Sequence, residues 1–184
     1  IDHFDSFSHN LFQALASLEE THVVRCDQIE SQSISDLRPS LVVLSPGPRG
    51  PKDTGVTTEY LNSAFAQTCP TLGICLGFQT MSLFWGAQVD QAKDVVHGKT
   101  LDLSFEQHEI FTHCPKPMPV ARYHSLCVPQ ASLPLEQVNV IAQHEDMAMA
   151  VVDKKRPWIG LQFHPESFLT PQGPQLLNNI HHYL

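Results

Sequence analysis

The chain has 184 residues, 42% apolar and 16% charged, which is enough apolar material for one core and too little charge for a disordered chain. Eleven basic against nineteen acidic side chains leave a formal charge of −8, which argues against a surface that grips phosphates, so no nucleic-acid partner is expected. No window approaches the roughly 18 apolar residues of a membrane helix, and no charged-then-apolar leader is visible, so neither membrane insertion nor secretion is expected.

In chain order, the Ile1-Asp2 start lacks Met and predicts a trimmed first strand. Phe7, Leu11, Leu15 and Leu18 recur at helical spacing and predict a helix over Ser6 to Glu20. His22 to Cys26 reads as a short strand, and Leu41 to Leu44 as a strand buried on both faces. Ser45 to Pro51 is too rich in Pro and Gly to continue it. Val56 to Gln67 predicts a helix, Thr71 to Ile74 a strand, and Leu76 to Trp85 a helix stopped by Gly86. This strand–helix alternation implies a parallel sheet with helices on both faces. The middle changes character: Lys99 to Phe105, His108 to His113, Val120 to Tyr123, Val138 to Gln143, Met147 to Asp153 and Trp158 to Phe163 read as strands joined by short turns. This section is expected to be antiparallel or mixed. Gln172 to Leu184 is a closing helix, with Thr170 as its cap and Pro171 in its first position.

Five cysteines, an odd number at wide spacings and without a C-x-x-C, predict neither a disulfide framework nor a structural zinc knot. A reduced, cytoplasmic compartment fits best. Eleven histidines invite a metal, but His108-Glu109 precedes His113 by five residues, not the four that share a helix face, and the segment reads as strand. No metal or other cofactor is expected.

The sharpest feature is Gly73-Ile74-Cys75-Leu76-Gly77, between a predicted strand and a predicted helix. A G-x-nucleophile-x-G turn there lifts its central side chain above the sheet at a helix N-terminus. Backbone N–H groups at that end favour a thiolate and can hold an oxyanion. A buried structural cysteine between turn glycines fits the pentapeptide equally well. A second feature, Gln162-Phe163-His164-Pro165-Glu166-Ser167, follows an apolar strand. His164 could take a thiol proton, and Glu166 could orient its imidazole. An inert surface turn is the competing reading. The third feature is the Ser45 to Pro51 loop, where Gly47 could turn an N–H toward a carbonyl oxygen. All three follow strands, so a parallel sheet would gather them at one edge.

Together these segments resemble the class I, triad-type glutamine amidotransferases, and within them the glutaminase component of the synthases that use chorismate. The likeness runs through nearly the whole chain: Asp2 to Leu11 resembles D-N-Y-D-S-F-T-x-N-L, and Ser45 to Pro51 resembles S-P-G-P-G-x-P. Leu72 to Gln79 resembles L-G-[IV]-C-L-G-H-Q, and His97-Gly98-Lys99 the subgroup's H-G-K. Arg122 to Leu126 resembles R-Y-H-S-L, and Gln162 to Ser167 resembles Q-F-H-P-E-S. Arg49 departs from the second glycine of its motif and Phe78 from the histidine of its own, while Phe4 and His9 are milder departures.

The resemblance implies one α/β domain over residues 1–184: an open, mostly parallel, flavodoxin-like sheet with helices on both faces, plus a smaller antiparallel or mixed section. It implies that Cys75 attacks the amide of L-glutamine to form a γ-glutamyl thioester, with His164 as base and then acid and Glu166 as its orienter. The N–H groups of Gly47 and Leu76 would form the oxyanion hole, and Gln79 with the Ser125 and Leu126 backbone would hold the glutamine. Asp5-Ser6-Phe7 and His97-Gly98-Lys99 would face a larger, chorismate-binding synthase subunit that uses the ammonia, in the anthranilate or the 4-amino-4-deoxychorismate reaction. A stand-alone Cys-His-Glu hydrolase of γ-glutamyl compounds is the alternative.

Overall fold

The computed structural model describes residues 1–48, 50–92 and 98–184. Three short parallel strands organise it: β1 (Val42–Leu44), β2 (Thr71–Ile74) and β9 (Trp158–Leu161), neighbours in that order. Every residue of β2 and β9 is buried, as continuous apolar strands require when both sheet faces are covered. On one face Leu72, Ile74, Ile159 and Leu161 pack with Leu11 of α1 (Ser8–Ala16) and with Leu176, Leu177 and Ile180 of α5 (Gly173–Tyr183). On the other, Val42, Leu44 and Trp158 pack with α2 (Ser31–Asp36), α3 (Val56–Asn62) and α4 (Leu76–Phe84) through Ile34, Tyr60, Phe78 and Met81.

The expected α/β architecture is therefore present. The antiparallel section continues the same sheet as β8 (Met147–Asp153), β7 (Val138–His144), β4 (Lys99–Phe105) and β5 (Met118–Arg122). A separate two-stranded ribbon joins β3 (Asp90–Gln91) to β6 (Leu126–Cys127). Among the described residues no helix is long and apolar enough to cross a membrane.

Two glycines set the height of α4. Gly73 and Gly160 are direct cross-strand partners. A Cβ on Gly73 would strike Met81 and the Gly77–Phe78 backbone, and one on Gly160 would strike the Phe78 ring. The missing side chains let the helix settle directly on the strands. Phe78, the departure noted in the sequence, is a fully buried packing residue that fills the space over Gly160.

Several expectations are corrected. His22 to Cys26 forms no strand, only an isolated bridge from Arg25 to Asp2, and the helix that opens at Val56 ends at Asn62. His108 to His113 is not a strand: Glu109–Phe111 forms a single 3-10 turn, with His108 Nδ1 accepting from Ile110 N at 3.4 Å. Ile110 and Phe111 are both buried, and the Asn179 amide on α5 ties the carbonyls of Ile110 and Thr112. The last helix begins at Gly173 after an uncapped Gln172, because the Thr170 hydroxyl is used elsewhere. The first helix stops at Ala16, where Ser17 Oγ donates to Ala14 O and a tight turn from Leu18 N to Leu15 O closes it.

Candidate active site

Because β1, β2 and β9 are adjacent and parallel, the loops after their carboxyl ends meet at one edge. Those loops carry Gly47, Cys75 and His164, and Glu166 follows two residues later.

Cys75 sits between β2 and α4 with φ 51° and ψ −99°, a conformation that costs strain in a non-glycine residue and needs surrounding structure to hold it. Its N–H donates to Leu161 O at 2.7 Å, and its carbonyl accepts from Gln79 N at 2.9 Å. The following turn lies against β1 so closely that a Cβ on Gly77 would collide with Leu44 O. Leu76 is the first residue of α4, where the helix supplies no acceptor for its N–H. A Cβ on Gly47 would lie 2.7 Å from Leu76 Cδ2 and 2.7 Å from His3 Cβ. Gly47, Leu76 and Cys75 therefore share one small region. Arg49 lies outside the described residues.

Buried His3 pins the Gly47 loop. Ser45 O can only accept, so His3 Nδ1 donates to it at 3.1 Å, leaving Nε2 to accept from Thr57 Oγ1 at 2.7 Å. Ser45 Oγ accepts from His3 N at 2.9 Å and donates to Pro46 O at 2.6 Å.

His164 is held by its backbone as well as its ring. Its N–H donates to Ala121 O at 3.1 Å. The Thr170 hydroxyl donates to His164 O at 2.7 Å and accepts from Ala121 N at 2.9 Å, which is why it does not cap α5. On the ring, Nδ1 meets Glu166 Oε1 at 2.6 Å. Nε2 is buried without a close hydrogen-bond partner among the described residues, as is Glu166 Oε2. Burial opposes charge on the imidazole, but interactions with the Cys75 thiol and the Glu166 carboxylate outweigh it and raise the His164 pKa well above the usual histidine value. The rings of Tyr123 and Phe7 stand edge-on to the imidazole, with centroids at 5.0 and 6.1 Å. Tyr123 Oη also pairs with Ser167 Oγ at 3.1 Å. Asp5 lies nearby: burial raises its carboxyl pKa, partly offset by the N–H of Phe7 and by charge on His164.

Gln79, on the first turn of α4, donates from Nε2 to Leu126 O at 3.1 Å and to Gln162 Oε1 at 3.3 Å. Ser125 is exposed, and its carbonyl accepts from Ala92 N at 2.8 Å. Gln162 is fully buried, with Nε2 3.8 Å from Cys75 Sγ. The fold thus brings Cys75, His164, Glu166, Gly47, Leu76 and Gln79 together, with Leu126 alongside. Of His97-Gly98-Lys99, His97 lies outside the described residues, Gly98 N donates to Arg122 O at 3.0 Å, and Lys99 opens β4 exposed.

Gln162, Tyr123 and His3 carry no assigned role in the sequence reading, and Thr170 only that of a helix cap. For Gln162 a signal existed: along Trp158 to Phe163 it is the one hydrogen-bonding side chain besides the indole. Period-two alternation puts it on the Gly160 face, under α4.

Two neighbouring histidines fix an acid limit. His124 Nε2 accepts from Arg122 Nε at 3.2 Å, and burial, then the Arg122 charge, push its pKa down to about 4. Burial likewise lowers the His3 pKa to about 4. Below pH ~6.5 the unfolded chain protonates both rings while the native state keeps them neutral, so stability is lost as pH falls from about 6.5 to 4. Each site contributes about 3 kcal/mol to that loss at pH 4. His164 has the opposite sign: its contribution fades only as pH rises through its raised pKa, so it does not offset the loss. Urea midpoints at neutral pH and near pH 4.5 measure the effect, and equal midpoints would refute it.

A model of the family described as glutamine amidotransferase class-I matches residues 1–183. The chain is 41% identical to anthranilate synthase component 2 of Pseudomonas aeruginosa, over 98% of this chain and 92% of that one. It is 38% identical to the aminodeoxychorismate/anthranilate synthase component 2 of Bacillus subtilis, over 98% and 93%. Among solved structures, a Thermoplasma acidophilum protein assigned to GMP synthase superposes with a TM-score of 0.85 at 26% identity, covering 100% of this chain and 90% of that one.

Proposed function

We propose a role inside the family to which this chain belongs, the class-I glutamine amidotransferases: it is the glutaminase subunit of a synthase that uses chorismate, and Cys75, His164 and Glu166 are its triad. The observation that carries the triad is the strained Cys75 turn facing an imidazole whose far nitrogen is held by Glu166 at 2.6 Å.

His164 Nε2 takes the Cys75 thiol proton as the sulfur attacks the side-chain carbonyl carbon of L-glutamine. A C–S bond forms, and the carbonyl oxygen becomes an oxyanion facing the N–H groups of Leu76 and Gly47. As the intermediate collapses, the C–N bond breaks and His164 passes its proton to the leaving nitrogen, releasing ammonia. Water then attacks the thioester, its proton goes to His164, the C–S bond breaks, and the proton returns to Cys75 as glutamate leaves. Gln79 has both its Nε2 hydrogens engaged within the protein, so it offers Oε1 to the substrate's α-ammonium. The Ser125–Leu126 segment borders the same space. No cofactor takes part.

The names of the relatives, each a component 2, support a component 1 as partner. The proposed docking face surrounds the site. Phe168, two residues beyond Glu166, is 81% exposed, and Lys99 lies exposed at the start of β4. A stable complex would bury about 800 Å² on each side. The whole chain acts as one domain, and its setting is the cytoplasm.

The test is to assay glutamine hydrolysis by the chain alone, then with chorismate and a chorismate-binding synthase component. The rate should rise on addition, and glutamine should support aminated product. Phe168→Ala and Lys99→Glu should weaken this stimulation without lowering the thermal midpoint of the isolated chain. Full activity alone, with no response to either synthase type, would instead favour a stand-alone hydrolase.

A further inference from the structure

The Leu126 carbonyl fixes the direction of a buried hydrogen-bond chain that ends on the nucleophile. A carbonyl only accepts, so the Gln79 side chain must turn its NH2 toward Leu126 O, 3.1 Å away. The same NH2 lies 3.3 Å from the Gln162 side chain, which must therefore present its oxygen. That leaves the Gln162 NH2 pointing at Cys75 Sγ, at 3.8 Å, within reach of an N–H···S hydrogen bond to a large, diffuse acceptor. Gln162 has no exposed surface, and its own N–H is fixed to Met149 O at 2.9 Å. A primary amide buried this deeply needs partners, and these are the ones it has.

We propose that Gln162 is a further catalytic residue: its side-chain NH2 holds the Cys75 sulfur, and its carbonyl ties that sulfur to Gln79, the residue that meets the substrate. The inference rests on the glutaminase reading of the site. The Gln162 N–H donates to the sulfur lone pair, so the thiol proton is left to face His164 Nε2. As that proton moves to the imidazole, the donor meets a growing negative charge, and a hydrogen bond to a charged acceptor is stronger than one to a neutral acceptor. Gln162 gains and loses no proton in the reaction. It also couples two events: a substrate ammonium drawing on Gln79 Oε1 polarises the Gln79 NH2, then the Gln162 amide, and so strengthens the donor at the sulfur.

Two variants test this. Gln162→Glu keeps the shape and replaces the donor with an acceptor, whereas Gln162→Met removes both ends of the relay. Each should lower kcat for glutamine hydrolysis by about 10- to 100-fold, the loss expected for one hydrogen bond to a charged group. A merely structural role could produce that loss. The deciding measurement is therefore alkylation of Cys75 by iodoacetamide, without glutamine, as a function of pH. In both variants the profile should move to higher pH. Gln79→Leu should move it in the same direction by less, although Gln79 does not touch the sulfur, and the Gln79→Leu/Gln162→Met pair should be non-additive. A folded Gln162→Met protein with the original alkylation profile would overturn the proposal.

If a variant does not fold, the 15N-labelled unsubstituted protein decides. The Gln162 side-chain amide resonance should follow the ionisation of Cys75 through a pH titration, and a resonance that stays still overturns the proposal. Failure of the underlying reading looks different: the unsubstituted chain, with its synthase partner, would release no glutamate at all.

Discussion

Cys75→Ser is expected to reduce glutamine hydrolysis by about 10⁴-fold or more while leaving the fold intact, a loss on the scale of removing a triad nucleophile. Serine fits the space that cysteine occupies. The N–H bond to Leu161 and the turn onto α4 involve only backbone, so they survive. What changes is the attacking atom, because a hydroxyl gives up its proton far less readily than a thiol. Ammonia release measures the loss, and a chloroketone glutamine analogue, followed by mass spectrometry, locates the nucleophile. Burial raises the thiol pKa of Cys69 and of Cys114, which leaves both poorly reactive near neutrality. A label on Cys114 or Cys127 in place of Cys75 would overturn the assignment.

His164→Ala should cost nearly as much as losing Cys75, whereas Glu166→Ala should be roughly 100-fold milder. Without His164 the thiol proton has no acceptor. Without Glu166 the imidazole loses its charge partner but not its place, since Ala121 O and the Thr170 hydroxyl hold the backbone and the Tyr123 and Phe7 rings flank the side chain. The double variant should behave like His164→Ala, because the two residues act on one proton. Values of kcat for the three proteins decide it. Glu166→Ala falling below His164→Ala would mean that the roles are assigned the wrong way round.

The parts of the site that could be read from sequence are those encoded within a few residues. The Cys75 turn needs only a strand, two small residues and a helix, and His164 to Glu166 is a single short loop. Elements that depend on distant partners were not legible. Ser31–Asp36 carries one buried side chain, Ile34, so it has no apolar stripe to reveal a helix. The two-residue strands Asp90–Gln91 and Leu126–Cys127 are too short for alternation to register. The middle strands were recognisable as strands, but their order across the sheet follows from pairings between segments far apart in the chain. Thr170 looked like a helix cap because its neighbour is proline. Only the approach of β5 reveals that its hydroxyl serves His164 instead.

That approach also bears on solubility. β5 is the last strand of the seven-stranded sheet, and a bare sheet edge is a template on which another chain can grow. Ala121 directs its N–H and C=O outward, and alternation along β5 gives Pro119 the same outward direction. Proline has no N–H to offer, while both polar groups of Ala121 are occupied, one by Thr170 and the other by His164. The loop that supplies the base is therefore also the guard of this edge. Substitutions that loosen residues 164–170 would expose a strand end, so for such variants a soluble, monodisperse preparation is as informative as a rate.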